Sequence, residues 1–340
     1  MIICYFGIYN PEYSRNRIMI NGLRQNGVQV IECRSDKRGI AKYFELIRKH
    51  WRIRGRYDSI VVGFPGYQAM ILAKCLTKKK IIFDVFTSLY DSMVCDRRIA
   101  RKHSLGAGYY WFLDWLSCRL ADKILLDTNE HIKYFMQTFK IKKEKFCRVF
   151  VGSDDEIIKF AEQKKKENIF LVHFHGSSIP LQGVEHIIKA AKLLEKESII
   201  FNIIGSKIKQ KYQDSGLSNV NLINNVPYEK LGEYISMANA SLGIFGSTEK
   251  AKRVIPNKAY EALAAGRPII TGETPAAKEL FTDGKNILFC KMGDARDLAD
   301  KILQLKRNNK LREMISRNGY NLFLNNLTPR HIGKLLITVL

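Results

Sequence analysis

No stretch of the 340 residues approaches the ~20 consecutive apolar side chains that a membrane-spanning helix requires. The opening MIICYFGIYN reads as a strand running into a turn. It has no basic start, long apolar core or small-residue cleavage site, so no secretory leader is expected. Seven cysteines (Cys4, Cys33, Cys75, Cys95, Cys118, Cys147 and Cys290) are scattered without CxxC or other metal-ligand spacing, which predicts reduced, mostly buried thiols in a cytoplasmic protein. No GxGxxG follows the first strand, which argues against a dinucleotide-dependent dehydrogenase. No RNP, helix-turn-helix or zinc pattern occurs, and no DxD-type carboxylate pair sits at an obvious strand end, so neither nucleic acid nor a metal is expected as a partner.

Acidic residues are scarce: 33 Asp and Glu face 56 Lys and Arg. Residues 1–150 carry 28 Lys/Arg against 13 Asp/Glu, residues 151–300 carry 20 against 19, and residues 301–340 carry 8 against 1. A neutral middle between basic ends fits an anionic partner, or a lysine-rich solubilising surface. Length and a hydrophobic fraction of 46% imply globular structure in about two domains of roughly 150 residues.

Short apolar runs alternate with amphipathic stretches in both halves, the signature of parallel sheets covered by helices. Strands are expected at 1–7, 28–33, 59–63, 80–86 and 123–127, with 148–152 closing the first half. The polar segment 153–168, with its run Lys164–Lys166, reads as a connector. The second half repeats the pattern, with strands at 169–175, 198–205, 220–223, 240–245 and 268–272. Helices are expected at 183–195, 228–238, 256–265, 295–308 and 310–322.

Chemistry concentrates in VIPNKAYEALAAGRPIIT, residues 254–271. Pro256 and Asn257 signal a helix start, with Asn257 as N-cap, and Gly266 signals its end. A helix N-terminus at the carboxyl edge of a parallel sheet favours a diphosphate through its free N–H groups and dipole. One turn inside, the Glu261 carboxylate is placed either to accept from both hydroxyls of a ribose or to stand solvated near the dipole.

With these residues in place, the chain resembles a family 4 glycosyltransferase of the group 1 type. The resemblance is carried by HFHGSSIPLQGVEHIIKAAKLL (173–194), FNIIGS (201–206), NNVPYEKLGEYISMANASLGIF (224–245) and PNKAYEALAAGRPIIT (256–271). YFGIYNPEYSRNRIMINGLRQNGVQV and ADKILLDTNEHIKYF match more loosely in the first half. The resemblance implies a GT-B fold, an α/β architecture of two Rossmann-like domains whose parallel sheets face across a cleft. Residues 1–152 would form the acceptor side, 169–322 the donor side, and a helix at about 323–340 would return to the first domain. It implies transfer of a sugar from a UDP- or GDP-sugar to a glycan or lipid-linked acceptor, with retention at the anomeric carbon, in surface polysaccharide or glycoconjugate synthesis. No cofactor or metal is implied.

Glu261 matches the second glutamate of the family's paired motif, Gly205 and Ser206 the turn beside base and ribose, Val226 the base-reading segment, and Gly176 the start of the loop under the diphosphate. The chain departs from the pattern at three positions. The first glutamate of the pair is Arg253, and the loop cations are replaced by Ser177, Ser178 and Gln182. Lys250, Lys252, Arg253 and Lys258 cluster instead in 246–258. They either take over the diphosphate or form a solvated face.

In the first half, DVFTSLYDSMVCDRR holds Asp84, Ser88, Asp91 and Asp96 where the family often carries a sugar-contacting histidine. Asp91 or Ser88 is the catalytic candidate there, with Asp84 alternatively capping a strand end or turn. His131, after the strand ending at Asp127, is the second candidate, or a structural histidine. Arg34–Arg56 holds nine Lys/Arg against Asp36 and Glu45, with Ile40, Tyr43, Phe44, Ile47 and Trp51 on one helical stripe; YYWFLDWL (109–116) is densely aromatic. A basic amphipathic helix with aromatics suits peripheral docking on the anionic inner face of a membrane, or ordinary packing of the stripe on a sheet. The returning helix would add the basic residues of 301–340 to this side. Two other classes remain: a GT-B sugar-nucleotide epimerase, and a non-enzymatic basic binder of nucleic acid or other anions.

Overall fold

The alternation of apolar runs and amphipathic stretches folds into two α/β units, which the computed structural model describes over residues 1–162 and 169–340. One unit comprises Met1–Gly152 together with Leu327–Leu340; the other comprises Ser153–Asn326.

The first unit is built on strands β1 (Ile2–Gly7), β2 (Gln29–Arg34), β3 (Ser59–Val62), β4 (Ile81–Phe86), β5 (Lys123–Leu126) and β6 (Phe146–Arg148). They form a parallel sheet in the order β2-β1-β3-β4-β5-β6. Its helices are α1 (Ser14–Gln25), α2 (Ala41–Ile53), α3 (Tyr67–Leu76), α4 (Leu105–Leu120) and α5 (Asn129–Phe139). Right-handed crossovers put α1 on one face and α2, α3 and α4 on the other, because the chain steps left from β1 and right thereafter. The sixth strand lies upstream of the expected 148–152, where Arg148 alone belongs to it.

The outward face of α2 differs from ordinary sheet packing. Only Leu46 and His50 are buried in this helix. Ile40, Phe44 and Trp51 are 74%, 68% and 64% exposed, so most of the stripe turns to solvent. Periodicity identified the stripe, but burial is decided by Leu46, and by His50, whose Nε2 lies 2.6 Å from the Tyr57 hydroxyl.

A C-terminal helix, Pro329–Ile337, covers α1. The two approach so closely that a Cβ on Gly22 would stand 2.1 Å from the Pro329 carbonyl oxygen, and one on Gly333 2.1 Å from the Gly22 carbonyl carbon. Asn26 Nδ2 donates to the Arg330 carbonyl at 2.8 Å. The returning segment starts at Leu327 rather than near 323 and brings only Arg330 and Lys334. The other basic residues of 301–340 stay in the second unit, so the basic ends are not pooled as expected.

The second unit has strands β7 (Phe170–His175), β8 (Ile199–Ile204), β9 (Val220–Ile223), β10 (Ala240–Leu242), β11 (Ile269–Gly272) and β12 (Leu288–Cys290), in the order β12-β11-β10-β7-β8-β9. Helices α6 (Val184–Leu193), α7 (Ser206–Tyr212), α8 (Tyr228–Met237), α9 (Asn257–Ala264), α10 (Pro275–Lys278), α11 (Ala295–Arg307) and α12 (Asn309–Asn326) surround it. The core includes Val172, Phe174, Ile187, Phe201, Ile203, Leu242, Ile270, Leu298 and Ile302. Of the connector 153–168, residues 153–162 pack within this unit, with Ser153 and Ile158 fully buried. Lys164–Lys166 lie outside the described residues. Among the described residues no helix is long and apolar enough to cross a membrane.

Candidate functional site

The sheet order of the second unit reverses direction at β7. The chain adds β8 and β9 on one side and β10 to β12 on the other, a topological switch point at whose carboxyl edge ligands bind in open α/β sheets. The expected donor residues gather at strand and helix ends around this edge. Gly176 follows β7, Gly205 follows β8, and Val226 lies between β9 and α8. Ser206 opens α7 and is locked to Asn225: its N–H donates to Asn225 Oδ1 at 2.9 Å, and the Asn225 N–H donates to Ser206 Oγ at 3.0 Å. Gln182, where the resemblance expects a lysine, turns its side chain onto the loop, and its Oε1 accepts from the Ser177 N–H at 3.0 Å. Ser178 sits half-buried in the same loop.

Helix α9 carries the charged groups. Its N-cap is Pro256, with no side-chain cap, and Asn257 is the first helical residue rather than the cap. Pro256 is suited to this position because it has no N–H to lose and its φ of −71° suits the turn. The helix ends as expected: Gly266 adopts φ +66°, its N–H donates to Leu263, and the Arg267 N–H donates to Ala262 at 2.8 Å, a Schellman closure. Every residue from Lys258 to Ala264 is buried. Glu261 is therefore not a solvated surface carboxylate.

One side chain that sequence reasoning missed meets Glu261, and a second meets the first. His175 Nε2 lies 2.8 Å from Glu261 Oε2, and His173 Nε2 lies 2.9 Å from His175 Nδ1. A carboxylate only accepts, so the His175 Nε2–H donates to Glu261. Burial, reinforced by His175 and Lys258, holds His173 well below the usual histidine range, so it stays neutral. The alternation in His173-Phe174-His175 was the available signal, since alternate strand residues share a face.

Lys258 is the other unusual group. It is 6% exposed, and its Nζ sits 4.0 Å from the centroid of the Phe174 ring with no hydrogen-bond partner among the described residues. Burial pulls its pKa down to about 7, with Glu261 pulling the other way. In the 246–258 loop, Lys252 pairs with Glu249 at 2.6 Å on the surface, so it belongs to a solvated pair. Lys250 is buried and Arg253 half-buried in the short 3-10 turn preceding α9.

In the first unit the candidates fall into three polar groups. Ser88 Oγ donates to Asp114 Oδ2 at 2.6 Å and accepts from the Asp91 N–H at 2.9 Å, fixing the start of a π-helical turn, Asp91–Asp96. Asp91 and Asp96 are both buried in that turn. Asp84 neither caps a turn nor stands free: Arg15 Nη2 donates to it at 2.8 Å in a fully buried ion pair. His131 lies in the first turn of α5, where Thr128 accepts from its N–H. Its Nδ1 is 2.6 Å from Asp127 Oδ1, while its Nε2 is buried without a hydrogen-bond partner among the described residues. An imidazole oriented at one nitrogen and unsatisfied at the other can exchange a proton or a hydrogen bond with a ligand.

Residues 154–322 match the family model described as Glycosyl transferases group 1. Two uncharacterized glycosyltransferases of Methanocaldococcus jannaschii are 26% identical to the chain. One aligns over 43% of this chain and 41% of its own length, the other over 83% and 71%. The crystal structure of Anabaena HepE in complex with UDP-glucose superposes with a TM-score of 0.71 at 14% identity, covering 99% of this chain and 98% of that one. The fold is GT-B.

Proposed function

We propose, from the premise that residues 154–322 form a group 1 glycosyltransferase domain and that the chain is an enzyme of the glycosyltransferase class, that it moves a sugar from a UDP- or GDP-sugar to a glycan or lipid-linked acceptor with retention. The observation that carries the donor assignment is Lys258. A buried ammonium in the first turn of a helix opposes both desolvation and the helix dipole. An arriving diphosphate offsets both costs. Glu261, one turn further on and held by His175, is then the ribose anchor, with His175 as its positioning residue. Arg253, Asn257 and the loop Gly176–Gln182 complete the phosphate side; Gly205, Ser206 and Val226 complete the base and ribose side.

We assign the first unit's share of the chemistry to His131 and Asp91. His131 is better placed, since Asp127 orients it and its Nε2 is unsatisfied. The basic first unit supports an acceptor in surface polysaccharide or glycoconjugate synthesis and a peripheral position on an anionic inner membrane face.

Calorimetry with UDP, GDP and the bare nucleosides tests the donor site. Lys258→Met and Arg253→Ala are expected to weaken the preferred diphosphate by about ten- to a hundredfold, as befits a charge-assisted bond, and the nucleoside little. Glu261→Ala weakens both. Wild-type diphosphate affinity in folded Lys258→Met and Arg253→Ala proteins removes the cations from the site.

A further inference from the structure

Two helices on one face of the first unit leave large apolar side chains uncovered. On α2 they are Phe44 and Trp51, with Ile40 just before its first turn. On α4 Leu105 is 96% exposed, with Tyr109 and Phe112 at about half. Leu105, Tyr109 and Phe112 follow the spacing i, i+4, i+7, so they form a stripe along one side of the helix, opposite the buried Ala107, Leu113, Asp114, Ser117 and Cys118. Helix α3 lies between α2 and α4, and Gln68 of α3 donates to the Tyr109 hydroxyl at 3.3 Å. The two stripes thus belong to helices that flank α3 in one layer.

Exposed cations border both. Lys37, Arg38, Arg48, Arg52 and Arg54 flank the α2 stripe, and Arg54 lies over the Trp51 ring at 5.5 Å. Arg97, Arg98, Arg101 and Lys102 precede α4 with no carboxylate among residues 97–113, and exposed Ile99 stands among them.

We propose that this α2–α4 face docks on an anionic lipid bilayer by inserting Phe44, Trp51, Leu105 and Phe112 below the headgroups while the flanking arginines and lysines hold the lipid phosphates. The proposal rests on the membrane-side reading above and adds the face and the mode, apolar insertion rather than charge alone. Charge complementarity selects the occupant. A second copy of the face would bring cations against cations, which a symmetric contact cannot avoid. An anionic plane meets both rims at once, and apolar insertion with basic flanks is the pattern of helices lying in the interface.

The test is flotation of the full chain with vesicles of phosphatidylcholine alone and of phosphatidylcholine mixed with phosphatidylglycerol, at low and high salt. Two double variants, Phe44→Ser/Trp51→Ser and Leu105→Ser/Phe112→Ser, are compared with wild type, with thermal melting and UDP binding as controls. These side chains are exposed, so the variants are expected to melt and to bind UDP as wild type does. Wild type is expected to float with the anionic vesicles, retaining part of its binding at high salt. Each double variant is expected to lose about tenfold or more, the cost of withholding two apolar side chains from the interface. Anionic binding that survives both double variants overturns the docking face while leaving the membrane reading intact. Absence of binding to any vesicle overturns both. Double variants that abolish self-association and leave vesicle binding unchanged assign the face to a second copy and also overturn it.

Discussion

At the scale of single residues, Lys258 has a measurable cost before any ligand arrives. A lysine in the unfolded chain titrates near 10.4, whereas burial brings Lys258 to about 7. Between those values the unfolded chain holds a proton that the folded chain has released, so this residue's destabilising effect is full below about 7 and eases as pH rises. Lys258→Met is therefore expected to stabilise the ligand-free protein at pH 7 by on the order of 1–3 kcal/mol, with the gain shrinking toward pH 10. Thermal melts of both proteins across that range check this; a Lys258→Met protein less stable than wild type at pH 7 refutes it. Lys258 and Glu261 were legible from the sequence because a helix start, a carboxylate one turn inside and a glycine stop follow from local rules. His175 was not, because its meeting with Glu261 joins positions 86 residues apart that only the sheet brings together.

At the scale of elements, one carboxylate in α4 shapes the chain after β4. Asp114 accepts from Ser88 Oγ and from the N–H groups of Leu89 and Tyr90 at 2.6, 3.0 and 2.8 Å. Burial raises its pKa to about 7 against the pull of those donors. A folded value above the unfolded one means that its stabilising contribution is complete below about 3.9 and is lost as pH rises through about 7. Asp114→Asn is expected to flatten the stability profile between those pH values, and Asp114→Ala to cost about 1–3 kcal/mol by orphaning buried donors. Denaturant titrations at several pH values report both. An Asp114→Asn protein with the wild-type slope shows that another group sets it. The positions of β1 to β5 were legible because buried parallel strands are continuous apolar runs. The orientation of α2 was not, since its stripe and its Leu46–His50 side are both compatible with the same periodicity, and contact with the sheet decides between them.

At the scale of the whole molecule, the chain begins one unit, builds the other, and returns to the first. The last segment is integral to its unit: Leu327, Ile332 and Leu336 are buried, and Lys80 Nζ donates to the carbonyls of Val339 and Leu340 at 2.8 and 3.0 Å. Removing residues 327–340 is expected to lower hydrogen-exchange protection along α1 and β1 by about tenfold or more while amides of β7 and β8 keep theirs, since a helix stripped of its covering neighbour opens more readily than one still packed. Equal protection in both units would show that the C-terminal helix only decorates the surface. The sequence offered this return only through the family resemblance. It carried no hint of where the helix lands, because the glycines at Gly22 and Gly333 become a contact only when two distant helices cross.

That crossing also sets an order in time. A ribosome releases the chain from its first residue onward, and domains fold as they emerge. The sheet around β7 has all its strands and helices once Asn326 has cleared the exit tunnel, whereas the sheet around β1, made first, still lacks the helix that closes over α1. The earlier half of the protein is thus the later to finish. Until residues 327–340 appear, the side of α1 that holds Gly22 lacks the helix that covers it.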